Sequence, residues 1–226
     1  MIATGRRLCW LTTYAIAMAY LESAVVVYLR AIYYPAGFTF PIVIIPPAMA
    51  GIEIGREAAT LIMLAGVAAL AGGDRWERFL FFCITFGVWD IFYYVWLKVF
   101  LGWPESLQTW DILFLIPVPW VGPVLAPVIV SVGLIGGALG LLQLRGRGIQ
   151  LEFPASLWLL AVAGGLLVLL SFMIDYREAF TGPEPPPFRW GLFGLGVGFG
   201  LAALALGVNR MRRAEVRPAS TASPGP

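Results

Sequence analysis

Residues 50–72, AGIEIGREAATLIMLAGVAALAG, decide the fold class, being long and apolar enough to cross a membrane while carrying Glu53, Arg56 and Glu57 near one end. A span needs about 20 mostly apolar residues. At a helix centre each charge costs about 2.5–3.5 kcal/mol, whereas Leu, Ile or Val returns about 0.3–0.6. The seven strong apolar residues from Ile52 to Leu70 do not offset three charges alone. The helix therefore needs neighbours that accept its polar face, which predicts a bundle rather than a lone span facing lipid.

The rest of the chain supplies those neighbours. Of its 226 residues 60% are apolar or aromatic and 12% are charged, and the mean hydropathy of +0.84 places the chain in the membrane class. Further spans read at about 8–29, 79–101, 120–143, 155–174 and 188–208. The expected fold is thus an all-α, polytopic bundle of about six transmembrane helices, with one membrane domain over 1–213. Residues 214–226, rich in Pro, Ser, Ala and Thr, read as a disordered cytoplasmic tail.

Basic residues orient the bundle. Arg6 and Arg7 precede the first span, Arg75 and Arg78 follow the second, Arg145 and Arg147 the fourth, and Arg210, Arg212, Arg213 and Arg217 the sixth. All fall on one side of an alternating topology, which the positive-inside rule makes the cytoplasm, with both termini there. Arginine-rich composition leans towards a bacterial inner membrane. A cleaved signal peptide is the competing reading of the N-terminus, but the apolar run continues through Tyr28 at spanning length, and its removal breaks the charge alternation. Cys9 and Cys83 read as reduced, buried thiols.

At about 1.5 Å per residue, three acids come to a common depth. Glu22 lies seven residues below Leu29 and Glu57 seven below Ala50, and Asp90 lies eight before Lys98, so each sits about 10–12 Å under the outer boundary. Glu53 and Arg56 sit slightly higher. Ionisable groups inside a bilayer are costly enough to mark function, and Glu53 and Glu57 form a repulsive i, i+4 pair. Arg56 can neutralise only part of this charge. A proton, a bound cation or a partner must supply the rest, unless the acids are struts between helices, with Arg56 and Glu57 a structural ion pair.

The segment from Glu22 to Arg30 matches Asp90 to Lys98 as acid, four residues, Val, aromatic, Leu, base, which suggests a repeat of two hairpins, 8–72 and 79–143. Each first helix leads to a proline-rich run, 40–48 or 112–119. These read as short segments lying on or dipping into the outer face before helices 2 and 4. Tyr33, Tyr34, Phe38, Phe40, Trp103, Trp110 and Trp120 suit an aromatic belt there. Spans four to six carry glycine faces at Gly133, Gly136, Gly137 and Gly140, at Gly164 and Gly165, and at Gly194, Gly196, Gly198 and Gly200, suited to helix packing or oligomers. The working half is therefore expected within 1–111.

The chain has no histidine, which removes histidine-based nucleophile pairs and argues against haem and zinc. No phosphate-binding loop, dinucleotide fingerprint or nucleic-acid surface appears. Three functions remain. The leading expectation is transport through a proton- or cation-binding centre of Glu22, Glu53, Glu57 and Asp90, with Arg56 as charge partner, where a carboxylate cluster can also hold a hard divalent cation such as Mg²⁺, Ca²⁺ or Mn²⁺. The second is a non-enzymatic assembly subunit of a membrane complex. The third is a lipid- or isoprenoid-modifying enzyme using the acids, with Tyr93 and Tyr94 stabilising charge. Expected partners are membrane lipids and a homodimer mate or complex subunit.

Overall fold

In the computed structural model, which describes residues 2–183 and 187–216, six helices run α1 Ile2–Tyr33, α2 Pro47–Ala71, α3 Arg75–Leu101, α4 Leu125–Gly146, α5 Ala155–Met173 and α6 Trp190–Val216. Each is long and apolar enough to cross a membrane, and together they fit a multi-pass membrane protein. Their outward faces keep large apolar residues such as Trp10, Ile62, Leu70 and Leu159 exposed. Water would oppose so much exposed apolar surface. α6 continues to Val216, and residues 217–226 of the expected tail lie outside the described residues.

α3 is the central element and packs on α1, α2 and α4, while α5 and α6 form a tight hairpin. The α1–α3 seam holds Ala15, Met18, Ala19 and Trp89 with Leu64 of α2. Leu80, Cys83 and Ile84 pack against Ala138, Leu141 and Leu144 of α4, with Met211 of α6 and Leu8 of α1 in the same cluster. The start of α1 and the end of α6 therefore lie at one end of the bundle. Cys83 is buried there, whereas Cys9 is exposed, against the expectation of two buried thiols.

Polar contacts close that end. Arg7 donates to Glu77 Oε2 at 2.8 Å and to the Ala71 carbonyl at 2.9 Å, tying α1 to the α2–α3 turn. Asp74 caps α3 by accepting from the Trp76 and Glu77 amides at 2.8 and 3.0 Å, and the Arg145 guanidinium grips the same carboxylate. That guanidinium, ahead of the cap bonds, holds the Asp74 carboxyl below its usual range.

The opposite end adds a short two-stranded hairpin to the otherwise helical fold. Trp110–Phe114 (β1) and Trp120–Pro123 (β2) form an antiparallel hairpin, with Trp110 opposite Pro123 and an irregularity between Ile112 and Phe114. The fourth span therefore starts at Leu125, not 120. Pro117 and Pro119 fall in the turn, Pro123 ends β2, and Pro127 lies in the first turn of α4, where its missing N–H is no loss. Residues 40–46 stay irregular until Pro47 opens α2, a position suited to proline. Ile42, Val121 and Ala179 pack together under Trp110 and Phe180, and the Ile42 amide donates to the Ala179 carbonyl at 2.9 Å. Three loops thus form one roof over this end.

The glycine faces divide. A Cβ on Gly164 would stand 2.7 Å from the Gly196 carbonyl oxygen and 3.0 Å from the Gly200 amide, and one on Gly196 would stand 2.7 Å from the Gly164 carbonyl oxygen. These glycines let α5 and α6 touch backbone to backbone. Gly133, Gly136, Gly140, Gly165, Gly194 and Gly198 have no neighbour within 4 Å of an added Cβ.

Candidate functional site

Beneath the roof lies a cavity of about 500 Å³, walled by α1, α2, α3, β1 and the hairpin turn. Glu22, Glu53, Arg56, Glu57, Asp90, Tyr93 and Tyr94, the residues singled out in the sequence, all line it. On α2, the i, i+3, i+4, i+7 spacing of Glu53, Arg56, Glu57 and Thr60 turns them to one face. Three of those four are buried, with Arg56 partly exposed.

Arg56 joins two helices. Its Nε donates to Glu53 Oε2 at 2.9 Å, and its guanidinium pairs with Glu22 of α1. The Thr60 hydroxyl donates to the other Glu22 oxygen. Glu22 is 4% exposed and satisfied on both oxygens. The alternative structural pairing of Arg56 with Glu57 is not formed. Glu57 instead turns to the roof, where its Oε2 accepts the Leu115 amide at 2.9 Å. Glu57 and its i, i+4 neighbour Glu53 thus take different hydrogen-bond partners.

Asp90 accepts the Ser131 hydroxyl of α4 at 2.8 Å and is partly buried. Among the described residues neither Glu57 nor Asp90 enters an ion pair, and no three acids, cysteines or histidines converge to hold a metal ion. The four acids do not converge on one point: Glu22 and Glu53 share Arg56, Glu57 turns to the Leu115 amide and Asp90 to the Ser131 hydroxyl, an arrangement that lends no geometric support to a divalent-cation site made of all four. Tyr93 also serves the α1–α3 seam, its carbonyl accepting the Ser23 hydroxyl at 3.0 Å.

Two charged residues of the cavity escaped the sequence reading as a pair. Arg30 Nη2 donates to Asp111 Oδ1 at 3.1 Å, and its guanidinium lies 3.6 Å from the Trp103 ring centroid and 4.9 Å from that of Phe38. They stand 81 residues apart, and only formation of the hairpin brings Asp111 back to α1. Asp111 Oδ2 is buried without a full hydrogen bond, with the Tyr94 hydroxyl nearby helping to hold the carboxylate; the indole nitrogen of Trp89 is buried without a partner, and all three residues line the cavity. A third such atom, Trp120 Nε1, belongs to a residue outside the cavity wall.

Burial pushes the Asp111 carboxyl up from 3.8 to about 6, with Arg30 pulling the other way. A raised folded-state value contributes stability that is fully present below the unfolded value of 3.8 and is lost as the pH rises through about 6. Asp111→Asn should flatten the pH profile by about 1–3 kcal/mol between these limits, since a tenfold change in proton affinity is worth about 1.4 kcal/mol. Paired denaturation profiles of the two proteins in one detergent isolate Asp111 from other acids, and identical slopes would exclude this role. No family model, curated protein or solved structure matches this chain.

Proposed function

We propose that this is a multi-pass protein of the bacterial inner membrane, with both termini cytoplasmic, and that its roofed cavity is a proton- or cation-exchange centre serving transport. The observation that carries the reading is the division of labour among the acids. Glu22 and Glu53 are spoken for by Arg56, whereas Glu57 and Asp90 line the same cavity with only neutral hydrogen-bond donors. A carboxylate so placed exchanges charge with the cavity without breaking an ion pair.

Glu57 also offers a coupling element. Its bond to the Leu115 amide is charge-assisted while the carboxylate is ionised, about twice as strong as a neutral one. A proton or cation arriving at Glu57 weakens the hold of α2 on the hairpin turn, and the roof gains freedom to open. The centre thus links occupancy to access, which alternating transport requires.

Purified protein in liposomes, with a pH-sensitive dye inside and an imposed ion gradient, tests the reading. Glu57→Gln and Asp90→Asn should each abolish gradient-driven flux while leaving the folded protein extractable. Flux unchanged in both variants would contradict it. A lipid- or isoprenoid-modifying enzyme is the second reading, favoured by the aromatic and aliphatic walls beside Tyr93 and Tyr94, and it calls for tightly held lipid after gentle extraction. The unfilled glycine faces of α4 and α6 favour a homodimer or complex partner.

A further inference from the structure

Resting on the exchange-centre reading, the charges of the cavity can be sorted by what remains after pairing. Arg56 is committed to Glu22 and Glu53, and Arg30 to Asp111 and the rings of Trp103 and Phe38. Among the described residues the wall has no other cationic side chain. An anionic cargo would have to break one of these pairs and would meet Glu57 and Asp90 as like charges.

Size and lining favour an organic occupant over a bare ion. The volume of about 500 Å³ falls in the range of small-molecule pockets, and among the described residues no three acids converge on one point as a metal ion requires. The walls include Ile42, Ile44 and Phe114, which suit an apolar body, with Trp89, Tyr93 and Tyr94 beside the acids. Aromatic faces attract a desolvated organic cation. Asp111 Oδ2 adds a buried acceptor short of a full hydrogen bond, and the Trp89 indole nitrogen a buried donor without a partner. Leaving such a group unpaired is costly, and a ligand bearing an N–H group relieves the first.

We propose that the cavity takes an organic cation, an ammonium or similar group on an apolar body, held by the carboxylates of Glu57 and Asp90. Binding one positive charge displaces one proton from this pair of acids, so cation entry and proton exit balance. The lipophilic body rests against the aliphatic wall under the hairpin. The ammonium belongs either to a free amine or to a lipid headgroup.

Isothermal titration calorimetry on the full chain in a nonionic maltoside tests this with ions matched in shape and opposed in charge. The pairs are tetraphenylphosphonium with tetraphenylborate and, against exclusion by size, phenethylammonium with phenylacetate. In at least one pair the cation should bind more tightly by at least about tenfold, with a heat that varies with buffer ionisation as protons are released. The Glu57→Gln, Asp90→Asn double variant should lose that preference. Equal binding, anion preference or no saturable cation binding in either pair would overturn the proposal. Displacement of the bound cation by added phosphatidylethanolamine would support a lipid headgroup as source, and its failure to displace would support a free amine. Proton flux that depends on Glu57 without cation preference would end this inference and leave the exchange centre standing. Cation preference without any flux would do the reverse.

Discussion

Arg56→Gln should be the most damaging single substitution in the bundle, destabilising it by about 3–5 kcal/mol, the usual effect of removing one partner of a buried ion pair. Glu22 is 4% exposed and Glu53 5%, and both lean on the same guanidinium. Without it, Glu22 keeps only the Thr60 hydroxyl, and two carboxylates are left in a wall that already holds Glu57. The loss is one of uncompensated charge, so it should be largely repaired by Glu22→Gln in the same chain. Arg56→Lys should recover only part, since an ammonium cannot span two carboxylates as a planar fork does. Unfolding of the parent, Arg56→Gln, Glu22→Gln and the double variant in mixed detergent micelles closes a double-mutant cycle. A stable Arg56→Gln protein, or no rescue by Glu22→Gln, would show that the pair does not hold α1 to α2.

Gly164→Ala should be the second, and the direction is opposite to the ordinary helix expectation. Replacing an exposed helical glycine by alanine gains about 1 kcal/mol. At Gly164 the new methyl meets the backbone of Gly196 and Gly200 at 2.7 and 3.0 Å, and backbone cannot swing aside as a side chain can. Separating the helices should cost about 1–3 kcal/mol, the range for overpacking. Gly165→Ala, one residue on and with nothing within 4 Å, is the matched control and should be neutral or stabilising. If both variants behave alike in thermal unfolding, the α5–α6 contact is not the close one described.

The helices were legible in the sequence because spanning length and hydropathy are local properties, and Glu22, Glu57 and Asp90 could be brought to one depth by counting rise per residue. What counting along an axis does not provide is rotation. That Arg56 reaches across to Glu22 instead of down to Glu57 depends on how α1 rolls against α2, which a single apolar sequence with weak periodicity does not encode visibly. The hairpin was hidden for a different reason. WVGP runs without a break into the apolar helix that follows, so composition blends it into the fourth span, while the prolines of 112–119 mark an interruption without naming its form. Asp111 was lost with it. The likeness of Glu22–Arg30 to Asp90–Lys98 does not extend to the work of the bases, since Arg30 pairs with Asp111 while Lys98 donates to the carbonyls of Gly102 and Pro104, each at 2.8 Å.

The exchange centre stands or falls on whether Glu57 and Asp90 take up and release protons in the folded protein. Infrared difference spectroscopy of the protein in lipid, stepped between acid and alkaline buffer, reads protonated carboxyl groups directly. Expected are two reversible carboxyl bands, one missing in Glu57→Gln and the other in Asp90→Asn, both shifted on deuteration. Spectra of the two variants that match the parent band for band would contradict it.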